Sequence, residues 1–239
     1  MNMKLNNDLN DLFDYGYMIY QNPCFFKFSI DSVLLAEFVD VKKNHRRILD
    51  MCSGNAPVPL ILYSKYGEKM EITGVELQKE VYELGQKSIE YNNVKKIRFI
   101  NKDIIDFAEC EKSKYDIITC NPPYFKKSAK KILNDNEIKA KARHEIAIDL
   151  EQVISCASKL INKKGYFYIV HRPERLSDII NLLKKYKFGV KKVQTVYDDS
   201  KSPCCLILIE AIFNGEDYVR IERPLFLKEH STYKDIFRR

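Results

Sequence analysis

An amide, two prolines and a phenol stand together at Asn121-Pro122-Pro123-Tyr124. The run before them, Tyr115-Asp116-Ile117-Ile118-Thr119-Cys120, reads as a buried strand. Neither proline can donate to a sheet ladder, so the strand stops there. In open α/β sheets the carboxyl ends of the strands are where ligands bind. The Asn121 side-chain oxygen and the Pro122 carbonyl are two acceptors for the two hydrogens of an exocyclic amine, and Tyr124 can stack on a flat base. Such an amine is a poor nucleophile, because its lone pair is delocalised into the ring. Holding both hydrogens favours a pyramidal nitrogen whose lone pair can be aimed at an electrophile. Catalysis of this kind is mostly positioning and electrostatics and needs no general base. A rigid turn after a strand also uses Asn and Pro, but that alone does not explain the loop beside it.

That loop is Asp50-Met51-Cys52-Ser53-Gly54-Asn55-Ala56-Pro57, between a strand and a helix. Its position is that of a dinucleotide-type fingerprint, where small residues let the backbone approach a ligand. Of three expected glycines only Gly54 is present, with Cys52 and Ala56 as small replacements. Glu76 ends the next strand, and its two oxygens suit the two hydroxyls of a ribose. Asp103, just after a third strand, either accepts from an adenine amine or caps the following helix. Three polar residues at the ends of three successive strands say more than any one of them. A neutral loop without lysine is a poor cradle for a pyrophosphate, so the expected ligand is an adenosine without phosphates. That favours S-adenosylmethionine, with its transferable methyl, over NAD.

The elements that must position these groups alternate. Strands are expected at 48–51, 71–76, 97–101, 115–120 and 165–171, and helices at 32–39, 57–66, 78–92, 150–161 and 175–186. Ser29 or Asp31 can cap the first helix, and Pro57 suits the first position of the second. Strands 190–197 and 204–213 are joined by only six residues, which permits an antiparallel hairpin and excludes a helical crossover. The result is a mostly parallel sheet with one reversed strand. Leu5, Leu9, Leu12 and Phe13 are spaced as on a short amphipathic helix, with a loose arm as the other reading, and 15–28 reads as extended. The segment after Asn214 is charged and expected to be partly ordered.

At 239 residues, 45% hydrophobic and 31% charged, the composition is that of a globular protein with one sizeable domain. No apolar run is long enough to span a bilayer and the N-terminus has no signal-peptide core, so a cytoplasmic location is expected. Seven cysteines without a C-x-x-C pair read as reduced, mostly buried thiols, and four scattered histidines suggest no metal site. The net charge of +7 weakly favours a polyanionic partner. The stretch Phe125-Lys126-Lys127-Ser128-Ala129-Lys130-Lys131, continuing to Arg143 and His144, follows directly on the amine-gripping motif. That position favours contact with RNA phosphates over a solvated loop, with Phe125 as a further stacking group. Arg172, at another strand end, either lines the same face or belongs to a helix start.

These motifs resemble those of class I S-adenosylmethionine-dependent amino-methyltransferases, and most nearly the bacterial tRNA(Val) adenine N6-methyltransferase family. The resemblance rests on 28–36, 49–55, 74–78, 121–125, 142–145 and 170–176, and covers roughly residues 15 to 213. It implies an α/β, Rossmann-like class I methyltransferase fold: a mostly parallel seven-stranded sheet with an antiparallel C-terminal hairpin. It divides the chain into an N-terminal arm at 1–30, a methyltransferase domain at 31–213 and a C-terminal extension at 214–239. It implies catalysis by Asn121, Pro122 and Tyr124. For S-adenosylmethionine it implies contacts from Phe28 and Asp31 at the methionine end, Asp50, Cys52 and Gly54 in the loop, and Glu76, Leu77, Asp103, Ile104 and Asn121 beyond it. The implied substrate is an adenine of the tRNA anticodon loop, adenosine 37 of tRNA(Val), bordered by Phe125, Lys126, Lys127, Lys130, Lys131, Arg143 and Arg172. The same amine grip serves protein glutamine methyltransferases and DNA or rRNA amino-methyltransferases, and a catalytically inactive RNA-binding module is a further reading.

Overall fold

The computed structural model describes residues 8–12, 15–22, 29–124 and 149–229. Its centre is a sheet in which each parallel strand sends alternate side chains to opposite faces. Ile48, Ile117, Tyr168 and Val170 enter one core, while Leu49, Ile118, Phe167 and Ile169 enter the other. Both faces are therefore covered, and the strands read as continuous apolar runs. We number the strands β3 (Arg47–Met51), β4 (Glu71–Glu76), β5 (Ile97–Asn101), β6 (Tyr115–Cys120), β7 (Ile161–His171), β8 (Phe188–Tyr197) and β9 (Cys204–Phe213). They lie in the order β5-β4-β3-β6-β7-β9-β8. The first five are parallel, and β9 runs antiparallel to both β7 and β8. This is the expected seven-stranded, mostly parallel sheet with its hairpin. Two short strands, β10 (Arg220–Ile221) and β11 (Leu225–Phe226), extend it along β8.

Helices α1 (Ile30–Phe38), α2 (Pro57–Tyr66) and α3 (Lys79–Tyr91) pack on the first face. Helices α4 (Ile104–Cys110), α5 (Leu150–Leu160) and α6 (Leu176–Lys185) pack on the second. Most boundaries fall within two residues of expectation. β7 is the exception, beginning four residues before Gly165. Lys164, at φ 63°, lies where the pairing with β6 shifts register, and this irregularity joins two short runs into one strand. No described helix is long and apolar enough to cross a membrane.

The N-terminus corrects an expectation. Asp8–Asp11 is a strand, β1, paired antiparallel with β2 (Met18–Gln21), not the start of an amphipathic helix. The backbone bonds of this polar segment are satisfied by its partner strand, which outweighs a weak helical spacing. The thiols also differ: of the six described, Cys120 and Cys156 are buried, Cys52, Cys204 and Cys205 partly so, and Cys110 is exposed.

One close approach sets how near α3 lies to the sheet. The Phe99 ring stacks on Tyr82 at 5.2 Å between centroids. A Cβ on Gly85 would stand 2.5 Å from that ring and 3.2 Å from the Asn55 carbonyl carbon. In a free helix Gly→Ala stabilises by about 1 kcal/mol. Here overpacking, worth about 1–3 kcal/mol, is expected to win. Gly85→Ala should lower the urea midpoint, and a raised midpoint would show that Phe99 has room to move.

Candidate active site

The carboxyl ends of β3, β4 and β6 bring three side chains to one edge of the sheet: Asp50 on β3, Glu76 on β4, and Asn121 one residue beyond β6. Asp50 is 1% exposed. Ser53 Oγ donates to one of its oxygens at 2.5 Å and Thr119 Oγ1 to the other at 2.6 Å. Burial pushes its carboxyl up to about 7, against these two hydrogen bonds and with help from the Glu76 charge. The carboxylate thus holds the loop to β6. Glu76 is 6% exposed and accepts from Gly54 N and Gln78 N, each at 2.9 Å. Burial raises its carboxyl as well, opposed by those donors. Asn101 Nδ2 donates to the carbonyls of Glu76 and Leu77 at 2.9 Å, fixing the turn beyond the strand.

The loop between them keeps glycine-like geometry without the glycines. Cys52, Gly54 and Ala56 have φ of 57°, 58° and 71°. For an L-residue this region costs about 1–2 kcal/mol. Two non-glycine residues are held there by tertiary contacts, so the fingerprint survives in backbone shape while its letters are lost. Cys52 also lies against Cys120, whose thiol is pushed well up by burial first and by Cys52 second. It stays protonated and is no nucleophile.

Asn121 is set by α1. Its Nδ2 donates to Ser32 Oγ at 3.0 Å, and its Oδ1 lies 2.8 Å from the Tyr124 hydroxyl. Tyr124 is also 2.8 Å from Asp31 Oδ2. Burial, and then Asp31, push the phenol well above its usual range, so it keeps its proton. One proton faces two acceptors, which leaves Asn121 Oδ1 able to take a hydrogen from an incoming amine. The Tyr124 ring packs on His171 at 4.9 Å, and the Arg172 guanidinium lies 5.5 Å from its centre. Burial lowers His171 to about 4, so it is neutral at pH 7.

Of the residues singled out in the sequence, Asp31, Asn121, Tyr124 and Arg172 meet in one cluster, and Asp50, Gly54 and Glu76 in another. Pro122 is buried and directly follows Asn121, after β6. Leu77 is 44% exposed and offers an apolar surface beside Glu76. Asp103 caps α4, accepting from Ile105 N at 2.7 Å, and Ile104 is buried beneath that turn. Ser29 takes the N-cap position of α1 without a side-chain bond, while Asp31 serves Tyr124 instead. Phe28, Phe125, Lys126 and Lys127 lie outside the described residues, as do Lys130, Lys131 and Arg143. Ser32, Ser53 and Thr119 were not foreseen. Ser32 and Thr119 act through partners 89 and 69 positions away, which no local pattern marks, while Ser53 bonds Asp50 three residues before it.

The two buried carboxylates have no lysine or arginine partner among the described ion pairs. Buried charge of one sign is costly unless compensated. The pair therefore suits a ligand with positive charge and repels a pyrophosphate. Carboxylate oxygens for hydroxyls, Asp103 held at the start of α4, an apolar Leu77 and this negative field fit an adenosine bearing a cationic sulfur.

The fold is that of the class I methyltransferases. The chain belongs to the methyltransferase domain family, whose match spans residues 42–221. It is 30% identical over 155 residues to the tRNA1(Val) (adenine(37)-N6)-methyltransferase of Yersinia pestis, covering 64% of this chain and 61% of that protein. The match thus spans about three fifths of the length of that curated relative. Among solved structures, a predicted O-methyltransferase from Agrobacterium tumefaciens aligns with a TM-score of 0.66 at 20% identity, over 84% of this chain and 89% of that one. A 16S rRNA methyltransferase from Thermus thermophilus, in complex with AdoMet and guanosine, aligns with a TM-score of 0.62 at 21% identity, over 88% and 51%.

Proposed function

We propose that this protein methylates the exocyclic N6 amine of an adenine in tRNA, adenosine 37 of tRNA(Val), using S-adenosylmethionine in the cytoplasm. The carrying observation is the Asn121 amide, locked between Ser32 and Tyr124 at the same sheet edge as Asp50 and Glu76. The similarity to the Yersinia enzyme supports the choice of adenine and tRNA.

When bound, S-adenosylmethionine supplies an electrophilic methyl on a sulfonium. Glu76 would take the ribose hydroxyls, Leu77 and Asp103 the adenine, and the Cys52–Gly54 turn the amino-acid end. Asn121 Oδ1 and the Pro122 carbonyl accept the two amine hydrogens of the target base. Tyr124, braced by His171 and Arg172, keeps that base in plane. The amine loses a proton only after it has become cationic, so a neutral His171 is no obstacle. A base must leave its stack to reach such an edge, and an anticodon loop makes that inexpensive. Lys126, Lys127, Lys130 and Lys131 would neutralise the flanking phosphates.

The test is nucleoside mass spectrometry of unmodified tRNA(Val) incubated with the protein and S-adenosylmethionine, with 16S rRNA and a peptide release factor as competing substrates. N6-methyladenosine at position 37 is the expected product. Label entering the release factor or the rRNA in preference to tRNA would overturn the assignment.

A further inference from the structure

Folded proteins leave few buried polar atoms unpaired, and each calls for an explanation. The Gln21 amide oxygen is one: it has no hydrogen-bond partner among the described residues, and the residue is 8% exposed. On β2 it shares a buried face with Ile19, where an apolar side chain would bury more surface and leave nothing unpaired.

The strand carries this amide toward the cleft. Met18 N donates to Asn92 Oδ1 at 2.8 Å and Tyr20 N to Ser88 Oγ at 2.9 Å. β2 thus runs along α3 toward the end of that helix that follows β4. Asn55 Nδ2 then donates to Tyr20 O at 2.8 Å, tying the residue before Gln21 to the loop after β3. Gln21 therefore sits where the N-terminal hairpin meets the cofactor turn.

An unpaired carbonyl oxygen needs a donor. S-adenosylmethionine has three kinds: the adenine amine, the ribose hydroxyls and the α-ammonium. Asp103 and Glu76 stand at the ends of β5 and β4 for the first two, and Asp31 is engaged by the Tyr124 hydroxyl, which leaves room for a further acceptor of the ammonium on the β3 side. We infer that the Gln21 amide oxygen accepts a hydrogen bond from the α-ammonium group of the methyl donor, so that the N-terminal hairpin forms part of the cofactor site. This rests on the S-adenosylmethionine reading above.

The inference ties one side chain to two opposite effects. An unpaired buried acceptor weakens the unliganded fold, and the ligand repairs it. Gln21→Leu should raise the melting temperature of the unliganded protein by a few degrees. Calorimetric titration with S-adenosylhomocysteine, the demethylated product, should show a loss of affinity of ~10–100-fold, in line with a hydrogen bond to a charged group. Binding of 5′-methylthioadenosine, which lacks the amino-acid end, should stay within about twofold, since this contact is absent from that ligand. Unchanged affinity for S-adenosylhomocysteine, an equal loss for both ligands, or a lowered melting temperature would each overturn the assignment. Failure of the unaltered protein to bind S-adenosylhomocysteine would instead remove the methyl-donor reading on which it stands.

Discussion

Asn121→Ala is expected to lower the rate of methyl transfer to tRNA by ~10²–10³-fold, the usual consequence of removing one preorganised polar group aimed at developing charge. The Cys120 thiol stays protonated and His171 is neutral at pH 7, so catalysis depends on where the amine is held. The fold should tolerate the change. Asn121 is only part-buried, the Tyr124 hydroxyl keeps its bond to Asp31, and losing the bond to Ser32 Oγ costs about 1 kcal/mol. Single-turnover rates and thermal melts, measured on the same preparation, separate the two effects. Ser32→Ala is the informative comparison, because it frees the amide without removing it; a loss of roughly tenfold would mark positioning as distinct from chemistry. Near-normal turnover of Asn121→Ala, in a folded protein, would reject the amine-gripping role.

That Asn121 was legible in the sequence and Ser32 was not has a physical cause. A buried parallel strand writes itself as an apolar run, as in Ile117-Ile118 between Tyr115 and Cys120, and prolines then mark its end. Any polar residue at such an end falls at the ligand edge of the sheet. Glu76 and Asn121 were found in this way, and β4, β5, β6 and β9 to the residue. Ser32 reaches Asn121 across 89 positions and Thr119 reaches Asp50 across 69, by contacts that only the assembled sheet creates. The N-terminal hairpin was hidden for the same reason. Its sequence is polar and Asn-rich, and what holds it are Ser88 of α3 and Asn92 just past the end of that helix, which accept its backbone N–H groups. The left-handed backbone at Cys52 and Ala56 was hidden differently, because the letters that announce such a turn are glycines and here the turn persists without them.

Asp50 leads to the second large effect, on stability. Its carboxyl titrates near 7 in the folded protein, against 3.8 for the free side chain, because burial disfavours the charged form. Between those two values the native state holds a proton that the unfolded chain has released. Stability is therefore lost as pH rises from about 4 to about 7, and the loss levels off above that. A displacement of roughly three pH units corresponds to ~4 kcal/mol at most. Glu76, raised in the same direction, adds to the slope. Asp50→Asn keeps the shape and carries no charge. It should match the unaltered protein near pH 4 and exceed its unfolding free energy by ~1–4 kcal/mol at pH 8, with urea denaturation at each pH as the measurement. A difference independent of pH would show that Asp50 is already ionised in the fold. The same carboxyl links pH to ligand binding. A cationic ligand favours the ionised form, so affinity for S-adenosylmethionine should rise between pH 6 and 8 in the unaltered protein and more shallowly in Asp50→Asn. The negative loop that weakens the empty fold at neutral pH is then the feature that selects a sulfonium over a pyrophosphate.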